Sequence, residues 1–212
     1  MVRRLAVGLA FVVAVTVAAL AAGCGAGAGA GAVAVRGTDG GGVGTSAVWL
    51  GARPIGRRAE FHPPARGPIP GRCRSALGAR DGVHVEVFAR NRVVLVPAGI
   101  GLRGPLRFSA GRIAGARCYG DLVTLEPTGV VLVRRGARVV LSQLFRAWGQ
   151  PLSGVRVGPF RAPRGTGVAV FVGGRRWTGT PARVRLTRHA EIVLEVGPYV
   201  PPHTAYTFPP GL

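Results

Sequence analysis

The stretch "GVHVEVFARNRVVLVPAGIGL", residues 82–102, decides the fold class. Val83, Val85 and Val87 alternate with His84, Glu86 and Phe88, a turn follows at Arg90 to Arg92, and a second apolar run begins at Val93. Period-two alternation of β-branched residues on both sides of a short polar turn predicts a β-hairpin. The same pattern recurs downstream. In "TGVAVFVGGRRWTGTP" (166–181) Val168, Val170 and Val172 alternate before Gly173-Gly174, a dipeptide suited to a tight hairpin turn. "RVRLTRHAEIVLEVG" (183–197) predicts two further strands, Val184 to Leu186 and Ile192 to Val196, with His189 in the turn between them. "LSQLFRAWGQP" (141–151) is the one helix signal beyond the N-terminal region: Leu141, Leu144, Phe145 and Trp148 fall on one helical face, Ser142 is the expected N-cap, and Gly149 and Pro151 end it. An aromatic stripe at that spacing is read as core, with Trp148 a packing residue. The class is mainly β or α+β, built of antiparallel hairpins with one short helix.

Working outward toward the N-terminus, "MVRRLAVGLAFVVAVTVAAL" places Arg3 and Arg4 ahead of an apolar run from Leu5 to Ala22, the layout of a secretory signal over residues 1–23. "LAAGC" (20–24) resembles the bacterial lipobox, which makes Cys24 the lipidated first residue of the mature chain. A plain signal peptide and a retained anchor are the alternatives, and all three place the chain outside the cytoplasm. Residues 24–71 run from "GAGAGAGAVAVRGTDGGGVGTS" to "HPPARGPIPG" and predict a flexible, lipid-anchored tether rich in Gly, Ala and Pro. The rest divides into an N-terminal β part, 72–128, and a C-terminal part, 129–212, with a proline-rich tail.

With Cys24 assigned to lipid, Cys73 and Cys118 remain, and in an oxidising compartment they are expected to form a disulfide. Neither has a nearby His or helix start that would make it a reactive thiol. The 212 residues carry 28 basic and 8 acidic side chains, a net charge of +20, and the basic residues are all arginine. GC-rich codon bias explains the lack of lysine, so arginine identity is not itself evidence of phosphate recognition. The charge predicts attraction to anionic lipid or wall polymer. Nucleic acid is not expected as a physiological partner for a chain outside the cell.

From Val130 onward the order of strand, turn at Arg135-Gly136, strand "RVVL", helix, strand "VAVFV" and strand "EIVLEV" resembles the β-grasp pattern of ubiquitin-like sulfur carriers, in which a helix crosses a mixed sheet. The terminal Gly-Gly that sulfur-carrier chemistry needs is replaced by "GPYVPPHTAYTFPPGL", so that activity does not carry over. "VPAGIG" (96–101), "CYGDLVTLEPTGVVLV" (118–133), "LSQLFRAWGQPL" (141–152), "HAEIVLEVG" (189–197) and "FPPGL" (208–212) together resemble a group of uncharacterised secreted or membrane-tethered proteins of GC-rich bacteria. That resemblance implies paired histidines in the first hairpin and a His-Thr-His-Asp stretch after the cysteine, a metal or acid-base site. Here the hairpin keeps only His84, and Val123 and Leu125 stand where those histidines belong, so the chain reads as a divergent member that has lost the site.

His84 and Glu86 on one strand face, with Glu126, are the candidate remnants of a metal site. The sequence favours a half-exposed strand face with ordinary charges, since fewer than three convergent ligands rarely hold a metal. No triad, Walker loop or dinucleotide fingerprint can be assembled from local motifs. The sequence therefore predicts a non-catalytic binding or structural accessory without a cofactor, its basic surface turned to an anionic partner. The alternative is a degenerate member of a metal-binding or metal-dependent extracytoplasmic family.

Overall fold

The computed structural model describes residues 53–198 and 206–212. The signal segment, Cys24 and the tether up to residue 52 lie outside the described residues. The described residues belong to one compact unit. Its main sheet has seven strands: β1 (Arg80–Ala89), β2 (Arg92–Val94), β3 (Leu122–Val123), β4 (Val130–Arg134), β5 (Ala169–Val172), β6 (Arg175–Arg176) and β7 (Glu191–Val196), with one helix, α1 (Leu141–Trp148), between β4 and β5.

The ten-residue β1 is the axis of this sheet, whose order is β6-β5-β7-β1-β4-β3. On one side β1 pairs in parallel with β7, from His84 beside Glu191 to Ala89 beside Val196. On the other it pairs antiparallel with β4 over Arg80–His84 and with β2 over Val87–Ala89. The predicted β1–β2 turn is present, with Arg90 at φ 52° and Asn91 at φ 59°, the left-handed pair that a type I′ hairpin requires. Gly173 and Gly174, at φ 54° and 74°, make the equivalent turn between β5 and β6.

Val83, Val85 and Val87 point to the face covered by α1, where they join Leu141, Leu144, Phe145, Trp148, Ile192 and Leu194 in the principal core. The helix presents its apolar stripe as predicted, and Gly149 closes it in the left-handed region at φ 82°. Its N-cap is Val140 rather than Ser142: Gln143 Oε1 accepts from the Val140 N–H at 2.9 Å, and a side-chain amide three residues on thus replaces the expected serine.

Four expectations are corrected. First, the tether does not reach residue 71. The Gly56 amide donates to Val93 O at 3.1 Å, Phe61 is buried in the principal core, and the Trp148 indole donates to Pro63 O at 2.9 Å. Proline locks φ and lowers the entropy lost on ordering, so a Pro-rich segment need not be a spacer when a core is offered to it. Second, the parts 72–128 and 129–212 are not separate, because β1 from the first is the central strand of a sheet completed by β4, β5 and β7 from the second. The mixed sheet and its helix are present, but not within 129–212 alone. Third, Val184 to Leu186 is not a strand. A 3-10 turn at Pro181–Arg183 precedes it, and only Arg185 pairs, with Val140. Fourth, that Val140 bridge is all that forms of the predicted strand "RVVL".

Gly67 reports directly on the first correction. A Cβ on it would lie 1.9 Å from Arg146 O, because the 54–71 segment crosses the end of α1 backbone to backbone. Gly67→Ala should lower unfolding free energy by about 1–3 kcal/mol in chemical denaturation. An unchanged midpoint would mean that this segment is the tether the sequence predicts.

Candidate functional site

The face of the sheet opposite α1 carries the chemistry. On it, Phe88, Ala169, Phe171 and Val193 make one apolar cluster toward β5, while Leu132, Val123, Leu125, Ile113, Leu102 and Tyr119 make another toward β3 and β4. The polar residues of β1 and β7 fall on the same face. His84 lies beside Glu191 and Phe88 beside Glu195, so alternation also brings Glu86 and Val193 to this side.

His84, Glu86 and Glu191 converge, one ligand atom from each lying within 4.8 Å of the others. His84 is 6% and Glu191 8% exposed, and Glu86 is half-buried. The expected half-exposed strand is therefore corrected: hairpins from 102–115 and the tail from Tyr206 cover this face as well. The Tyr206 ring stacks on His84 at 3.9 Å with the planes 13° apart. Thr128 O lies 3.3 Å from His84 Nε2, and because a carbonyl can only accept, Nε2 is the donor of this contact. Gly129, at φ 81°, allows this approach, since a Cβ there would come within 3.2 Å of Nε2 and 2.6 Å of Val85 O. A groove of about 290 Å³ adjoins the histidine through Thr128 and Tyr206.

Glu126 is not part of this cluster; it pairs with Arg112 at 3.1 Å, half in solvent. Glu191 takes its place as the third residue. Its only signal in the sequence is that it alternates with Ile192, Leu194 and Val196 and so must face away from the core. Nothing local says that this strand lies beside β1. His189 sits in the predicted turn at φ 59° and stacks on Phe208, and His62 contacts Gly56 O at 2.6 Å.

The remaining charges are ordered differently. Five of the described acids, Glu60, Asp81, Asp121, Glu126 and Glu195, form ion pairs with arginines, and the other two are Glu86 and Glu191. The Arg53–Glu195 pair, at 3.1 Å, is buried on both sides, with the guanidinium 3.9 Å above the Phe88 ring. Burial pulls the Arg80 guanidinium below its ordinary value, and Asp121 partly offsets this. Of the 25 described arginines 21 are exposed, and three of those, Arg90, Arg112 and Arg135, are in the ion pairs. Arg138, Arg185 and Arg188 line a second groove, of about 400 Å³, beside the apolar side chains of Val133, Val139 and Leu186.

Cys73 and Cys118 form the expected disulfide, with Cα atoms 5.1 Å apart. Arg74 and Tyr119 next to them exchange two backbone hydrogen bonds, which ties the chain ahead of β1 to the 102–119 hairpins. Among the described residues no helix is long and apolar enough to cross a membrane. Comparison of the chain with family models, with curated proteins and with solved structures gives no match, so the family resemblance rests on the segments quoted above.

The bridge closes a span of 45 residues. Replacing Cys73 and Cys118 together by Ser should cost about 3–4 kcal/mol in unfolding free energy on the chain-entropy model. Equal stability of the variant and the oxidised protein would show that the bridge constrains little.

Proposed function

We propose that this protein is a non-catalytic binding module, held outside the cytoplasm by a lipid on Cys24, whose arginine-lined groove docks a phosphate-bearing polymer or lipid of the cell envelope. The observation that carries this reading is the distribution of charge. Surface acids are taken up in ion pairs, while Arg138, Arg185 and Arg188 stand together on one groove with apolar side chains between them. Among the described residues the one acid lining that groove, Asp81, is paired with Arg135, and Arg134 is paired with Asp121, so Arg138, Arg185 and Arg188, the last also donating to Leu212 O at 3.4 Å, set its potential. Guanidinium groups offer forked donors suited to phosphate oxygens, and the low-dielectric wall beside them strengthens each contact. Close to an anionic surface each such arginine contributes about 1 kcal/mol. A lipid anchor confines the module near that surface, so the contacts act at high effective concentration.

Two arms separate the sources of phosphate: vesicles of anionic phospholipid, and isolated wall polymer. With the preferred one, the triple variant Arg138→Gln, Arg185→Gln, Arg188→Gln should bind at least ten-fold more weakly, a figure below the full sum of about 1 kcal/mol each. Raising salt from 0.1 to 1 M should weaken wild-type binding too, as the Debye length falls from about 10 to about 3 Å. Binding that survives both changes would refute the groove. Separately, Cys24→Ala should abolish incorporation of labelled fatty acid, and labelling at wild-type level would refute the anchor.

A further inference from the structure

The cluster on the other face of the sheet calls for a different ligand. Its three members are placed by backbone register: His84 and Glu191 are direct neighbours on parallel strands, and Glu86 is the next residue on the same side of β1. Two carboxylates brought this close in a largely buried setting repel one another, and a cation between them turns that cost into attraction. The histidine is already oriented to serve it. Its Nε2 faces the Thr128 carbonyl and its ring is held flat against Tyr206, so Nδ1 is the nitrogen placed to ligate a metal. An imidazole whose far nitrogen donates to a carbonyl is the usual support of a metal-ligating histidine.

We propose that His84, Glu86 and Glu191 form a binding site for a divalent transition-metal ion, Zn²⁺ being the best fit. One nitrogen and two carboxylate oxygens make a borderline donor set, whereas Ca²⁺ and Mg²⁺ call for six or more oxygens. Tetrahedral bonds of about 2.0–2.2 Å would set the ligand atoms roughly 3.4 Å apart. Their separation of at most 4.8 Å is thus closed by small side-chain rotations. Three protein ligands leave a fourth position for water or a partner's donor. This site is independent of the arginine groove, which shares none of these residues.

The test uses the full chain, stripped with chelator and titrated with Zn²⁺ by calorimetry and with Co²⁺ by visible absorption. One equivalent should bind, Co²⁺ should give the intense bands of a four-coordinate site, and the melting temperature should rise with free Zn²⁺. Glu191→Gln and Glu86→Gln, which keep side-chain volume, should each weaken Zn²⁺ binding at least ten-fold. Glu126→Gln, outside the cluster, should leave it unchanged. Should either cluster variant fail to fold, the wild-type titration still decides. Failure of wild type to bind Zn²⁺ stoichiometrically at micromolar concentration would overturn the proposal, as would affinity unchanged from wild type in both folded cluster variants. Binding lost in Glu126→Gln would place the metal elsewhere and overturn it equally.

Discussion

The parallel pairing of β1 with β7 is the constraint on which the rest depends. It joins the first long strand to the last one, so the chain between them must close a large loop before the pairing is rewarded. What rewards it is the core on one face, where the valines of β1, Ile192 and Leu194 of β7 and the aromatic stripe of α1 exclude water together. Burial of each such side chain contributes about 1.5–3 kcal/mol, and β1 supplies three to this face. The same register that aligns the apolar residues fixes the polar ones opposite. Shifting β7 by one residue would turn Glu191 and Glu195 into the core and break both faces at once. The His-Glu-Glu cluster is thus a consequence of the register that the hydrophobic core enforces.

Much of this was legible in the residues themselves. Alternating valines located β1, the Arg90–Arg92 turn and the Gly173-Gly174 turn located two hairpins, and the spacing of Leu141, Leu144, Phe145 and Trp148 located the helix. These are local signals with short physical range. Apart from β2, the partners of β1 were not legible, because pairing with β7 depends on contacts a hundred residues away. For that reason the sequence offers Glu126, near His84 only by pattern, as the third candidate and gives no sign of Glu191. The 54–71 segment misleads for a related reason: proline and glycine are depleted from helices and strands, yet they suit a chain that crosses a helix end closely, as Gly67 does at Arg146. Composition described its backbone correctly, but carried no information on whether a surface was waiting for it.

The charge of the molecule is sorted by the fold. Among the described residues, acids outside the cluster are matched to arginines, the pair Arg53–Glu195 is taken into the interior, and the excess of guanidinium groups is left on the outside. A net positive exterior raises the concentration of anions around the whole domain, whereas the groove at Arg138, Arg185 and Arg188 gives that attraction a place and a shape. On the other face of the sheet the cluster brings two carboxylates beside one histidine. One sheet therefore presents two different electrostatic environments.

Nuclear Overhauser contacts between backbone protons of β1 and β7 test the central claim most directly. The fold predicts a parallel ladder in which residues 84–89 meet residues 191–196 in step, with the His84 amide protected by its bond to Ala190 O. Contacts in antiparallel order, a register displaced by one residue, or a 129–212 fragment whose β7 pairs without β1, would contradict it.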